Sequence, residues 1–173
     1  VGVREIFEGQ ASFSQMQFLS GVNRGRDLNY YRKIGLLHGV YEVAFSRFLR
    51  MTGLSEPSHL FDSAVNLFLL VCDLSIHPVD GFPCGISSFS RFVFEADPGC
   101  RFEYICAAIA RDRSSYESCL TKVERDDYFR VSERLMHASN IRHPKEGWDV
   151  IQDWSASSPD IRAIMKEKSA LNY

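Results

Sequence analysis

Along residues 3–20, VREIFEGQASFSQMQFLS, apolar side chains recur at helical spacing on two sides rather than one. On a 3.6-residue wheel Ile6, Phe13 and Met16 share one side with Gly9, while Phe7, Ala11 and Phe18 share another. The pattern predicts a helix from Val3 to Ser20 that ends before Gly21 and packs against neighbours on both sides. Between the stripes, Glu8, Ser12 and Gln15 form a polar line, and Glu8 is the only charged residue within positions 6–19.

The next apolar period runs through Ile34, Leu37, His38, Tyr41, Phe45, Phe48 and Leu49. It predicts one long helix from about Leu28 to Met51, capped by Asp27 and closed by Gly53. After the break SEPSH, residues 60–74 (LFDSAVNLFLLVCDL) read as a nearly all-apolar and therefore central helix. Residues 75–87, SIHPVDGFPCGIS, are a proline- and glycine-rich loop, and 89–97, FSRFVFEAD, fit either a short helix or an extended segment.

Asp97-Pro98 is a helix start, with Phe102, Ile105, Cys106 and Ile109 facing inward and an end near Arg111. An amphipathic stretch over 115–138, one helix or two, puts Leu120, Val123, Val131, Leu135 and Ala138 on its buried side. A short helix around Trp148–Trp154 and a last one from Pro159 to Ser169, signalled by Ser158-Pro159, complete the chain. The expectation is an all-α single-domain bundle over residues 1–173, with six to eight helices and the first three central.

Composition leaves that picture intact and narrows the function. Twenty basic and twenty-two acidic residues give a net charge of −2, which argues against nucleic acid as the partner. Residues 1–86 carry 7 basic and 8 acidic groups and residues 87–173 carry 13 and 14, so the second half supplies more of the charged outer layer. No uninterrupted apolar run of about 18 residues occurs, so no membrane-spanning helix is expected. The five cysteines form no Cys-x-x-Cys pair and read as reduced thiols of a cytoplasmic protein. The chain opens Val1-Gly2-Val3 with no initiator methionine, which suggests a piece of a longer polypeptide.

Candidate chemistry centres on Glu8, because a carboxylate on an otherwise apolar helix needs a partner. The partner is either an arginine from another helix, making Glu8 structural, or a metal. The segment Phe7-Glu8-Gly9-Gln10-Ala11 resembles the helix of gluzincin-type zinc peptidases that carries the third metal-ligand glutamate. That resemblance implies zinc, with Glu8 as a ligand and Gly9 and Ala11 permitting close helix approach. No His-Glu-x-x-His occurs in the chain, so the resemblance places the other ligands upstream of Val1.

His38 and Glu42, four apart, are expected to share a helix face and could join Glu8 in a polar pocket with Ser12 and Gln15. Pairing of Cys72, Cys100 or Cys106 with His77 or His137 lacks any local signature. Cys100, in the first turn of its helix, is the thiol expected to be most reactive, because a helix N-terminus lowers a thiol pKa. Arg24, Arg26, Arg32 and Lys33 form a local basic cluster, read as a solvated surface. Phosphate-loop, dinucleotide and nucleophile-elbow fingerprints are absent.

Three functional readings follow. The first is a non-catalytic packing or protein-interaction domain, whose partner is another protein or the remainder of a longer chain. The second is the helical portion of a metal-dependent hydrolase. The third is a small-molecule-binding helical domain with a pocket between the first two helices.

Overall fold

A computed structural model describes residues 1–22, 26–121 and 124–157 of the chain. These form only helices: α1 (Val3–Val22), α2 (Leu28–Lys33), α3 (Val40–Thr52), α4 (Ser63–Ile76), α5 (Phe92–Ala96), α6 (Pro98–Arg111), α7 (Arg113–Glu117), α8 (Arg125–Ser139) and α9 (Pro144–Ser157). The expected bundle is all-α, as the pattern indicated, and one contiguous buried cluster runs from Ile6 to Ile141. Val123 and the helix expected over 159–169 lie outside the described residues.

The centre is an aromatic cluster joining α1, α3 and α4. The Phe13 ring lies 4.4 Å from Phe45 and 5.2 Å from Phe68, and Phe68 lies 5.1 Å from Phe45 and 5.6 Å from Phe48. Tilted and edge-on contacts at these separations add to the free energy of burial. Gly9 makes the approach possible: a Cβ there would sit 3.3 Å from Phe68 Cζ and 3.4 Å from the Ala44 Cβ. α4 is the innermost helix, buried along Val65, Leu67, Phe68, Leu70, Val71, Cys72 and Leu74; α6 packs against both α4 and α3, with α8 beyond it.

Two expectations about helix bounds are corrected. The long helix over 28–51 is two helices, because Gly35 (φ 79°) and Gly39 (φ 57°) adopt left-handed backbone that ends α2 and restarts the chain before α3. Apolar periodicity alone continues across this break because Leu37 still points into the core. The first helix runs through Gly21 to Val22. The Asp97 cap is as expected: its side chain accepts from the Cys100 N–H at 2.7 Å and Pro98 opens α6. Within 115–138, Leu120, Val131 and Leu135 are buried, but Ala138 is exposed, since Ser139 takes the inward position at the end of α8.

The second apolar side of α1 is also corrected. Ile6, Gly9, Phe13 and Met16 are buried, whereas Phe7, Ala11 and Phe18 face outward, with Phe18 72% exposed. The two faces should answer oppositely to truncation. Phe13→Ala, on the inner face, is expected to cost about 3–5 kcal/mol in urea unfolding, whereas Phe18→Ala should stay within about 0.5 kcal/mol. Equal losses would contradict this placement.

Candidate functional site

The outer surface of α1 carries the polar line read from the sequence. Glu8, Ser12 and Gln15 border a cleft of about 320 Å3 together with Ala11, Leu36 and Tyr41. Ser12 is the anchored member: its Oγ donates to the Leu36 carbonyl at 3.2 Å and ties the α2–α3 connection to α1. Glu8 is half-buried and Gln15 exposed, so the carboxylate keeps access to water. Among the described residues no group of three or more His, Cys, Asp or Glu side chains gathers to hold a metal ion. Gly9, one of the residues behind the zinc-peptidase resemblance, has a packing role against Phe68 and Ala44, and Ala11 is exposed.

The structure does not bring His38 and Glu42 to this cleft. His38 lies outside α3, in the connection that precedes it, exposed and edge-on to Tyr41 at 6.3 Å. The four-residue spacing fails because Gly39 interrupts the helix between them. Glu42 is engaged by Arg32, whose Nε and Nη2 each reach its Oε1 at 2.8 Å, and Arg32 also meets Glu56. This uses up much of the local basic cluster. Arg26 stacks over Tyr30 at 4.2 Å, and Arg24 lies outside the described residues.

The expected lowering of the Cys100 thiol pKa is also not met. Burial and the hydrogen-bonding carboxylate of Asp97 push it above its ordinary value, against any help from the helix terminus. Cys72 and Cys106 are buried, and desolvation raises both thiols further.

A second polar group, beneath residues 77–88, escaped the sequence reading. Arg101 is buried to 1% exposure and donates to the carbonyls of Leu74 (2.7 Å), Ser75 (3.2 Å), His77 (3.3 Å) and Glu95 (3.0 Å). Those carbonyls end α4 and α5, where helical partners run out. Burial lowers the Arg101 pKa to about 10, against the charges of Asp80 and Glu95, so it remains a cation at neutral pH.

Above it, Ser87 Oγ lies 2.7 Å from Asp80 Oδ2 and 3.1 Å from Glu95 Oε2. One hydroxyl has one proton to donate. The two carboxyls therefore compete for it, and their surroundings treat them differently. The hydrogen bond with Asp80 and burial push Glu95 up. For Asp80, burial is outweighed by hydrogen bonds from Glu95 and Ser87 and by the charge of Arg142, which hold it down. Arg142 Nη1 faces Asp80 Oδ1 at 3.1 Å as an ion pair off the line of a hydrogen bond, and Arg91 reaches Glu95 at 3.1 Å.

Glu95, Arg91, Arg142, His137 and His143 border a broad cleft of about 770 Å3. His143 is not a free base there. Its Nδ1 accepts from the Lys145 N–H at 3.0 Å, so Nε2 carries the proton and donates to Ser132 at 2.9 Å. Burial holds its pKa below the ordinary value. The cluster pins the 77–88 loop to α5, α6 and the α8–α9 connection. The available signal in the sequence was Arg101 itself, a charge in line with Ile105 and Ile109 on the buried stripe of α6.

Apolar side chains also stand exposed at Phe82, Phe89 and Val93, on the loop and the five-residue α5. Comparison with protein-family models, curated proteins and solved structures finds no match for this chain. Among the described residues no helix is long and apolar enough to cross a membrane.

The carboxyl pair generates a pH signature. Folded Glu95 holds its proton longer than unfolded Glu95, so its stabilising contribution is complete below the ordinary pKa of about 4.3 and is lost as pH rises through the folded value. Glu95→Gln keeps the neutral form at every pH. Its stability relative to the wild type should rise from about pH 4.3 upward and then level off, read from urea midpoints. A pH-independent difference would contradict the upward shift of Glu95.

Proposed function

We propose that this chain is a protein-interaction domain and that the outer face of α1 is its docking surface. One observation carries the reading. α1 holds two apolar faces, and the core takes only one of them: Ile6, Phe13 and Met16 are buried while Phe7 is 50% exposed and Phe18 72% exposed. A helix that needed only to seat itself in the core would present charged or polar residues outward. Here residues 9–22 contain no charge at all, so desolvating the face costs little. Large exposed aromatics are the residue type that anchors protein interfaces.

The partner is another polypeptide, the remainder of a longer chain or a further copy of this one. The same reading assigns the chain to the cytoplasm, supported by five cysteines that stand as free thiols.

Removing the two aromatics tests the reading. An immobilised wild-type chain should retain protein from extract, or untagged copies of itself, that the Phe7→Glu/Phe18→Glu variant loses. Because both residues are exposed, each substitution should move the unfolding free energy by no more than about 0.5 kcal/mol. An identical retained set for both chains would contradict the proposal.

A further inference from the structure

We infer that the occupant of the α1 face is a second copy of this chain, with the two α1 helices antiparallel and residue i of one beside residue 25 − i of the other. The inference rests on the reading of this face as a docking surface and names its partner.

The seam repeats at coiled-coil spacing. Arg4, Phe7, Ala11, Ser14, Phe18 and Gly21 follow one another at intervals of 3, 4, 3, 4 and 3, and all six are exposed. It lies on the side of the helix away from Ile6, Gly9, Phe13 and Met16, which hold α1 in the core.

The seam is also symmetric about its middle. Phe7 and Phe18, Ala11 and Ser14, and Arg4 and Gly21 are equidistant from a point between residues 12 and 13. Val3 and Val22, at the two ends of the helix, obey the same relation, and so do Gln10 and Gln15 at the flanks. A two-fold interface must be self-complementary, because the same patch serves on both sides. An axis at that point stacks Phe7 on the partner copy's Phe18 twice. It sets small Ala11 against small Ser14 at the crossing, where the helices come closest.

Charge supports the antiparallel sense. The last turn of α1 carries no basic residue of its own to meet the helix's negative end. Antiparallel pairing brings Arg4 of the second copy to that end, level with Gly21. It also opposes the two helix dipoles, whereas parallel pairing would align them and leave Arg4 beside Arg4.

Area sets the strength. From Arg4 to Gly21 the seam spans about 26 Å, and a contact strip about 10 Å wide covers about 250 Å2 per chain in projection. Leu36 and Tyr41, exposed beside the seam on the α2–α3 connection and the start of α3, widen it. This falls short of the ~800 Å2 per partner of a standard stable interface, which places the contact among weak, reversible ones.

A charge exchange tests both the partner and the register. Sedimentation equilibrium of the wild-type chain from about 1 to 500 µM should show monomers converting to dimers. Phe7→Lys and Phe18→Glu should each weaken the dimer by at least about tenfold. The double variant Phe7→Lys/Phe18→Glu places lysine beside glutamate twice in the antiparallel register and should regain most of that loss. Mixing the two single variants gives a second readout, since the mixed dimer should be tighter than either homodimer.

A wild-type chain that stays monomeric throughout overturns the inference. So does a double variant no tighter than the weaker single variant, or a Phe89→Lys control that weakens the dimer as much as Phe7→Lys. A monomeric chain that still loses a retained foreign protein on Phe7→Glu/Phe18→Glu would remove self-pairing and leave the docking surface standing. No effect on either would remove both.

Discussion

The seat of α1 on α3 and α4 is the contact from which the rest of the molecule follows. It depends on Gly9, whose missing side chain lets the Phe68 ring and the Ala44 methyl come within 3.4 Å of where a Cβ would stand. That closeness lets Phe13 enter the Phe45–Phe68 cluster and places Ile6 and Met16 at full burial. It also fixes the rotation of the helix. Once the Ile6–Gly9–Phe13–Met16 face is turned inward, Phe7, Ala11 and Phe18 have no direction but outward. Packing at one face thus creates the surface at the other.

The far side of the bundle is organised by a different kind of contact. Arg101 places a cation among the carbonyls that end α4 and α5, where an apolar residue of the same size would leave those acceptors without donors. The loop above it then has a fixed floor, on which Ser87 bridges Asp80 and Glu95 between flanking arginines. Every charge in this group meets another member of it, so the group is a clamp that closes on itself. The α1 face differs: its aromatics meet water, and its one carboxylate, Glu8, stays half-exposed.

Much of the fold was legible because helical periodicity reports burial directly: α4 reads as central, and the Asp97-Pro98 start of α6 holds to the residue. Periodicity fails where backbone geometry intervenes. Gly35 and Gly39 divide one apparent helix, yet Leu37 between them still reaches the core and keeps the pattern unbroken. His38 and Glu42 were joined only by that false continuity. The polar line Glu8–Ser12–Gln15 does border one cleft, but whether an apolar stripe meets the core or the solvent is not written in its spacing. Phe7 and Phe18 are as apolar as Phe13. The Arg101 cluster draws on α4, α5, α6 and two loops, and such a convergence leaves no local mark beyond one charge on a buried stripe.

The central claim is that the outer face of α1 is the surface this chain uses to meet another copy. Hydroxyl-radical footprinting of the wild-type protein over a concentration series tests it most directly, because each phenylalanine reports its own exposure. Phe13 should be protected at every concentration, and Phe89, 84% exposed, should be labelled at every concentration. Phe7 and Phe18 should be labelled when dilute and become protected together as concentration rises. Labelling of Phe7 and Phe18 that stays constant across the series would contradict the account.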